Sequence, residues 1–274
     1  MGTDAKAGAG VRAVLPKLVD SYEEGEPEGS MERFRNRNGN DRQEKKIVVT
    51  TDGPYVVHGS IPLVRKIQVV SEYGEPLTWK TGPAIETPEI YELCRCGESG
   101  FPPFCDVTHA LIDFDGTETA DTRPTAERQV RYPGGTRIVV RRDLSLCMES
   151  GFCGNRFTDV EKMVAHTDDP QVRAQVMAMI ERCPSGSYVY SLEEGEEDVE
   201  PDLPQQIAVI TEITSEGPIA GPLWVTGHIP IERADGQPFE TRNRVTLCRC
   251  GHSRQKPLCD GTHRELAAEK SAGS

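Results

Sequence analysis

The chain has 274 residues, 31 basic and 44 acidic, for a formal charge of −13. That charge argues against broad nucleic-acid binding and against docking on an anionic membrane surface, and no apolar run reaches the length that spans a bilayer. Only 36% of residues are hydrophobic and 6% aromatic, so burial alone gives a modest core, and metal ligation is expected to contribute to folding. The length suits two or three small domains. The start, Met-Gly-Thr-Asp-Ala-Lys, lacks the apolar centre of a secretory signal and the Ser or Thr that myristoylation favours at position 6. A cytoplasmic protein is expected.

Residues 1–44, rich in Gly, Glu, Arg and Asn without periodicity, read as a flexible tail. From Lys45 the character changes. Lys46–Thr50, Tyr55–Gly59 and Leu63–Val70 are short β-branched runs separated by turns at Asp52-Gly53-Pro54 and Glu72–Pro76, the pattern of antiparallel strands. Tyr91–Leu93 leads into a cysteine-bearing loop. Thr136–Val140 reads as a strand. Thr158-Asp-Val-Glu161 reads as a capping box with Thr158 as N-cap, opening a short helix toward Ala165, with His166 as a cap near its end. Asp169-Pro170 places an N-cap before an N1 proline. The helix Pro170–Arg182 then turns Val172, Val176, Met179 and Ile180 to one face, which reads as core. Tyr188–Tyr190 reads as a strand, and the acidic run Glu193–Glu200 as a solvated linker.

The lead-in then recurs. Ile207–Thr211 parallels Ile47–Thr50, Gly221–Ile231 parallels Asp52–Leu63, and Val245–Leu247 parallels Tyr91–Leu93. A duplication on this scale suggests two similar domains about a pseudo-twofold axis. The division expected is a tail (1–44), a first repeat (45–118), a different unit with an acidic linker (119–200), and a second repeat (201–274).

Nine cysteines fall in three groups of three, and disulfide pairing would leave one over. Two groups share one spacing, Cys-x-Cys-x8-Cys-x3-His: Cys94, Cys96, Cys105 and His109, then Cys248, Cys250, Cys259 and His263. Three thiols and one imidazole suit either a tetrahedral zinc or a small iron–sulfur cluster. Cys-x-Cys tilts the balance to the cluster, since structural zinc more often uses Cys-x2-Cys. The third group is Cys147 and Cys153, with Cys183-Pro184 after the long helix. His58, His228 and His252 read as packed or surface residues.

The two like loops resemble the CDGSH iron–sulfur domain, the mitoNEET-like family, whose motif is Cys-x-Cys-x2-Ser/Thr-x3-Pro-x-Cys-Asp-Gly-Ser/Ala/Thr-His. The second loop matches throughout, and the first carries Val107 where the motif has glycine. The resemblance implies a 2Fe–2S cluster on each Cys3His set and a β-cap above it. It also implies a pairing of domains like the family's homodimer, here formed within one chain. Cys147-x5-Cys153 with Cys183-Pro-Ser-Gly186 resembles divergent three-cysteine ferredoxins, which implies a 3Fe–4S cluster or, alternatively, 4Fe–4S. Asp106 and Asp260 read as turn residues.

The fold class expected is therefore α+β and strand-rich: two CDGSH domains, each a small β-cap with a loop and helix, and a small ferredoxin-like α+β unit between them. The function expected is a multi-cluster electron carrier serving an unidentified redox partner protein, with a pH- or redox-sensitive sensor or cluster donor as the alternative. No acid–base constellation stands beside the cysteines, so a carrier is favoured over a catalyst.

Overall fold

The computed structural model describes residues 44–272. Residues 1–43, nearly all of the segment read as a flexible tail, lie outside the described residues. Among the described residues no helix is long and apolar enough to cross a membrane.

The first repeat contributes β1 (Lys46–Val49), β2 (Tyr55–His58), β3 (Leu63–Val70), β4 (Pro76–Ile85) and β5 (Tyr91–Leu93). The intervening unit contains α1 (Thr125–Arg128), β6 (Val130–Arg131), β7 (Val139–Arg142), α2 (Val160–Met163), α3 (Pro170–Arg182) and β8 (Tyr188–Ser191). The second repeat supplies β9 (Gln206–Thr214), β10 (Gly217–Thr226), β11 (Ile231–Glu232), β12 (Arg244–Leu247) and α4 (Thr262–Ala272). The protein is mixed α+β and strand-rich, with a three-strand core of the same order in each repeat.

Each repeat lends a strand to the other. One sheet has the order β11-β1-β2-β5, the second β12-β10-β9-β3-β4. β3 follows β2 in the chain but pairs in parallel with β9, Leu63 opposite Ile207. β11 follows β10 but pairs in parallel with β1, Ile231 opposite Ile47. The exchange is reciprocal, as a twofold relation requires. Alternation along β1 and β2 turns Ile47, Val49, Tyr55 and Val57 inward. They share one core with Leu63, Leu93, Ile207, Leu223, Val225, Ile231 and Leu247. A fully buried aliphatic side chain contributes about 1.5–3 kcal/mol, so neither repeat has a core without the other.

The intervening unit has its own smaller core of Ile138, Val140, Val160, Met163, Val176, Met179, Ile180, Tyr188 and Tyr190. α3 forms over the expected residues, with Asp169 accepting from the Gln171 amide at its start and Val176, Met179 and Ile180 buried. Other expectations need correction. The cap of α2 is Asp159, which accepts from the Lys162 amide at 2.9 Å, one residue later than the Thr158 box. Glu161 does not reach back. Its Oε1 accepts from Tyr132 and Tyr188 hydroxyls at 2.8 and 2.7 Å and from Arg142 at 2.7 Å. The Thr167 hydroxyl, on Val164 O at 2.9 Å, closes the short turn after α2 in place of His166. β7 starts three residues late because Gly134, Gly135 and Arg137 all take positive φ. Glu200 is more than linker: it pairs at 2.9 Å with the fully buried Arg244, so the acidic run ends in a buried ion pair.

Candidate metal centres

β5 delivers Cys94 and β12 delivers Cys248 at matched positions. The Cys94 amide donates to Pro103 O at 2.8 Å and the Cys248 amide to Pro257 O at 2.7 Å, so each loop closes as a tight hairpin. Ser99 Oγ donates to Phe104 O and Ser253 Oγ to Leu258 O, at 2.7 and 2.6 Å. Asp106 accepts from the amides of Gly100 and Thr108, and Asp260 from those of Arg254 and Thr262. Both aspartates therefore build the turn, as expected. Hydrogen bonds from Thr108 and Gly100 hold the Asp106 carboxyl down at about 2.

The eight repeated ligand candidates come together as pairs. Cys94 and Cys96 sulfurs are 3.6 Å apart, and Cys105 Sγ lies 3.3 Å from His109 Nδ1. In the second loop the distances are 3.7 Å for Cys248–Cys250 and 3.4 Å for Cys259–His263. Among the described residues no three of His, Cys, Asp and Glu gather closely enough to hold one ion. Burial raises the thiols: Cys96 is pushed up to about 11, and Cys105 and Cys259 are also raised. Cys248 is lowered to about 6 by the hydrogen bond from Cys250, whose own proton is held strongly. Thiols and an imidazole brought side by side in each loop, with most of the sulfurs at least half-buried, are the chemistry of a metal-holding donor set, so this donor set fits a metal group.

Arg95 and Arg249, each between two cysteines, lock the loops to the strands. Arg95 donates to Thr50 O at 2.6 Å and Gly116 O at 2.5 Å, and Arg249 to Gly221 O at 3.0 Å. The two loops also press on each other. A Cβ on Gly97 would lie 2.6 Å from Cys250 O, and one on Gly251 would lie 2.4 Å from Cys96 O. Tyr55 of the first repeat donates to Cys248 O at 2.8 Å in the second. A cavity of about 500 Å³ at this junction is lined by Cys94, Pro102, Arg249, Cys250, His252 and His263.

Two segments of the chain are similar to one family model. The family model described as iron-binding zinc finger, CDGSH type, matches residues 52–110 and 220–264. Together these are less than half of the chain, and they bracket the two hairpins. No curated protein and no solved structure gives a match.

The two CDGSH loops are not equivalent. His263 is buried, and its Nε2 lies 2.8 Å from Oε1 of the fully buried Glu212, whose Oε2 accepts from Arg264 at 2.5 Å. This pair leaves Nδ1 as the free ring nitrogen on the cysteine side. His109 is half-exposed, and among the described residues no carboxylate holds its ring. After the second loop the chain runs into α4, after the first only into the single turn Thr108–Leu111. Glu212 escaped the sequence reading, although a carboxylate inside the apolar strand QIAVITEIT was its signal.

The third group lies in the intervening unit. Cys147 follows the turn Leu144–Leu146, Cys153 precedes α2, and Cys183 caps α3. Burial, then the charges of Cys183 and Cys147, push Cys153 up to about 11, so the three share one electrostatic environment. Arg142 Nη2 lies 3.8 Å from Cys147 Sγ. This loop leans on the second CDGSH loop, since a Cβ on Gly261 would lie 2.9 Å from Glu149 Cγ. Arg244 donates to Cys183 O at 3.0 Å, and Gln68 to Ser150 O at 3.0 Å. His58 and His228 stand apart from all three groups; burial and Lys46 lower the His58 pKa.

Proposed function

We propose that the chain is a multi-cluster iron–sulfur electron carrier. The two CDGSH loops hold 2Fe–2S clusters, one on Cys94, Cys96, Cys105 and His109, the other on Cys248, Cys250, Cys259 and His263. Cys147, Cys153 and Cys183 hold a third cluster, 3Fe–4S or alternatively 4Fe–4S. The observation that carries the reading is the pairing of donors. Around one tetrahedral zinc, with Zn–S near 2.3 Å, all four donors would be mutual neighbours at roughly 3.8 Å. Two separate pairs suit two metal atoms instead.

When bound, such clusters accept and return single electrons. The chain's part is to bury the thiols, fix each imidazole and bring the loops into backbone contact without inserting a side chain. A neutral imidazole in place of a thiolate leaves the site less negative and so raises the potential. Anaerobically purified protein, assayed for iron, sulfide, visible absorption and EPR, tests this. Iron with acid-labile sulfide in near-equal amount and reversible one-electron reduction supports it, and a colourless zinc protein contradicts it.

The half-exposed His109 and the strained Val107 favour a second reading, in which the first loop gives its cluster away. Transfer of a 2Fe–2S unit to an apo-acceptor protein, lost when Cys105 is replaced, is the outcome that supports it.

A further inference from the structure

The surface of the first CDGSH loop differs from that of the second in a way that cluster binding does not require. Phe101, Val107, Leu111 and Ile112 are 78%, 59%, 85% and 44% exposed. The corresponding second-loop positions are Gln255, Gly261, Glu265 and Leu266. Of these Gly261 is buried and Leu266 is half-buried on α4. The four apolar side chains sit within one short segment that also contains Cys105 and half-exposed His109. Hydrogen bonds keep it compact: Gly100 donates to Asp106 at 2.7 Å, Ala110 to Val107 O at 3.0 Å, and Phe114 to His109 O at 3.4 Å.

Charge follows the same asymmetry. From Cys96 to Thr122 there is no Lys or Arg, but Glu98, Asp106, Asp113, Asp115, Glu118 and Asp121 are present. Glu98, Asp106, Asp113 and Asp115 are exposed, and among the described residues none of them forms an ion pair. A hollow beside His109 is lined by Asp52, Asp113, Phe114 and Asp115. The second loop and α4 instead carry Arg249, Arg254, Lys256, Arg264 and Lys270, with Arg254 on Asp260 and Arg264 on Glu212. One loop pairs Asp260 and Glu212 with arginines, while the other shows an apolar centre inside an acidic rim that no ion pair among the described residues closes, with Lys256 of the second loop acting only on Asp115. Patches of that build mark protein docking sites, and the rim's sign sets the partner's.

We propose that residues 98–115 form the docking face for a soluble one-electron carrier protein whose own face is apolar at its centre and ringed by Lys and Arg. The proposal rests on the electron-carrier reading and names its exit. One electron leaves the reduced iron–sulfur protein and reduces the partner's oxidised centre by one; no proton moves and no bond forms. Loop two, whose Cys259 and His263 are buried, does not meet the partner.

The test uses the full-length, iron-loaded chain and a basic c-type cytochrome as probe, with ferric haem as the one-electron acceptor. Cytochrome reduction is followed by stopped flow against ionic strength, and its footprint by amide hydrogen exchange. The expected results are protection over residues 98–115 and a bimolecular rate that falls about tenfold from low to near-physiological salt. D113K with D115K should lower the low-salt rate about tenfold, and F101S with L111S should weaken binding severalfold without changing cluster absorption. Reversing the acids Glu193 and Glu196, also exposed but outside this segment, should change the rate less than about twofold. Equal loss from both sets of charge reversals, or no salt-dependent reaction, overturns the docking face. So does protection of residues 98–115 in the chain alone, by self-association or by its own segments. A chain without iron contradicts the electron-carrier reading instead, and a loaded chain indifferent to these substitutions contradicts only the docking face.

Discussion

At the scale of single residues, the clearest case is the pair Val107 and Gly261. Both take positive φ, 69° and 92°, the left-handed region that a β-branched residue enters only under strain. At Gly261 the positive φ is joined by a close neighbour, since a Cβ would press on the Glu149 side chain, whereas Val107 is mostly exposed. The two exchanges should therefore act oppositely. G261V should cost about 1–3 kcal/mol in strain, lower the thermal midpoint by several degrees and displace the Cys147–Cys153 loop. V107G should leave the midpoint unchanged or slightly raised, because relief of strain offsets the added freedom of the unfolded chain. Differential scanning calorimetry of the loaded proteins separates them. Glu212 gives a second prediction. E212L leaves the His263 Nε2–H buried without an acceptor, at about 1–3 kcal/mol, and should speed iron loss to a chelator at the second loop roughly 10–100-fold. E212Q, which keeps an acceptor, should speed it less, and the phase from the first loop should not change in either variant. The ligand spacings were open to reading because they are local. Glu212 was not, because its partner lies 51 residues away.

At the scale of elements, α3 was readable because its cap, its N1 proline and its apolar face agree. α2 was misread by one residue because Thr158 and Asp159 are both good caps, and the choice falls to tertiary neighbours: the Thr158 amide is held by Asn155, and Glu161 is drawn to Tyr132, Tyr188 and Arg142. β4 went unread because PLTWKTGPAI holds Pro and Gly and lies largely exposed, so it lacks the alternation of a half-buried strand. The Glu161 cluster sets a pH dependence. Hydrogen bonds from Tyr188 and Tyr132 lower the Glu161 pKa, so its stabilisation is complete above the ordinary carboxylate range and is lost as pH falls through it. The intervening unit should become easier to unfold from about pH 5 downward, and E161Q should be weaker at neutral pH and flatter across that range. Tyrosine near-UV circular dichroism against pH follows the transition.

At the scale of the whole molecule, the exchange of β3 and β11 makes the two repeats one folding unit. No local pattern encodes which distant strand a segment joins, so the duplication was readable but the exchange was not. Leu63, on the exchanged β3, is buried against Ile207 of the other sheet. L63A should cost about 2–5 kcal/mol and loosen both CDGSH loops together. If amide exchange rises in the first loop alone, the shared core is wrong. The placement of the three cysteine groups follows from the same frame: the second loop touches both the first loop and the intervening unit.

The central claim is that the cysteine groups hold three iron–sulfur clusters, and the most direct test is iron and acid-labile sulfide per chain with EPR of the oxidised and reduced protein. The expected result is about seven or eight irons per chain, two from each CDGSH loop and three or four from the third site. The two 2Fe–2S clusters should become paramagnetic on reduction, and replacing Cys147 should abolish the third signal, seen in the oxidised protein for 3Fe–4S or in the reduced protein for 4Fe–4S, while sparing those two. Zinc at about one per CDGSH loop, with no sulfide and no EPR signal, would contradict it.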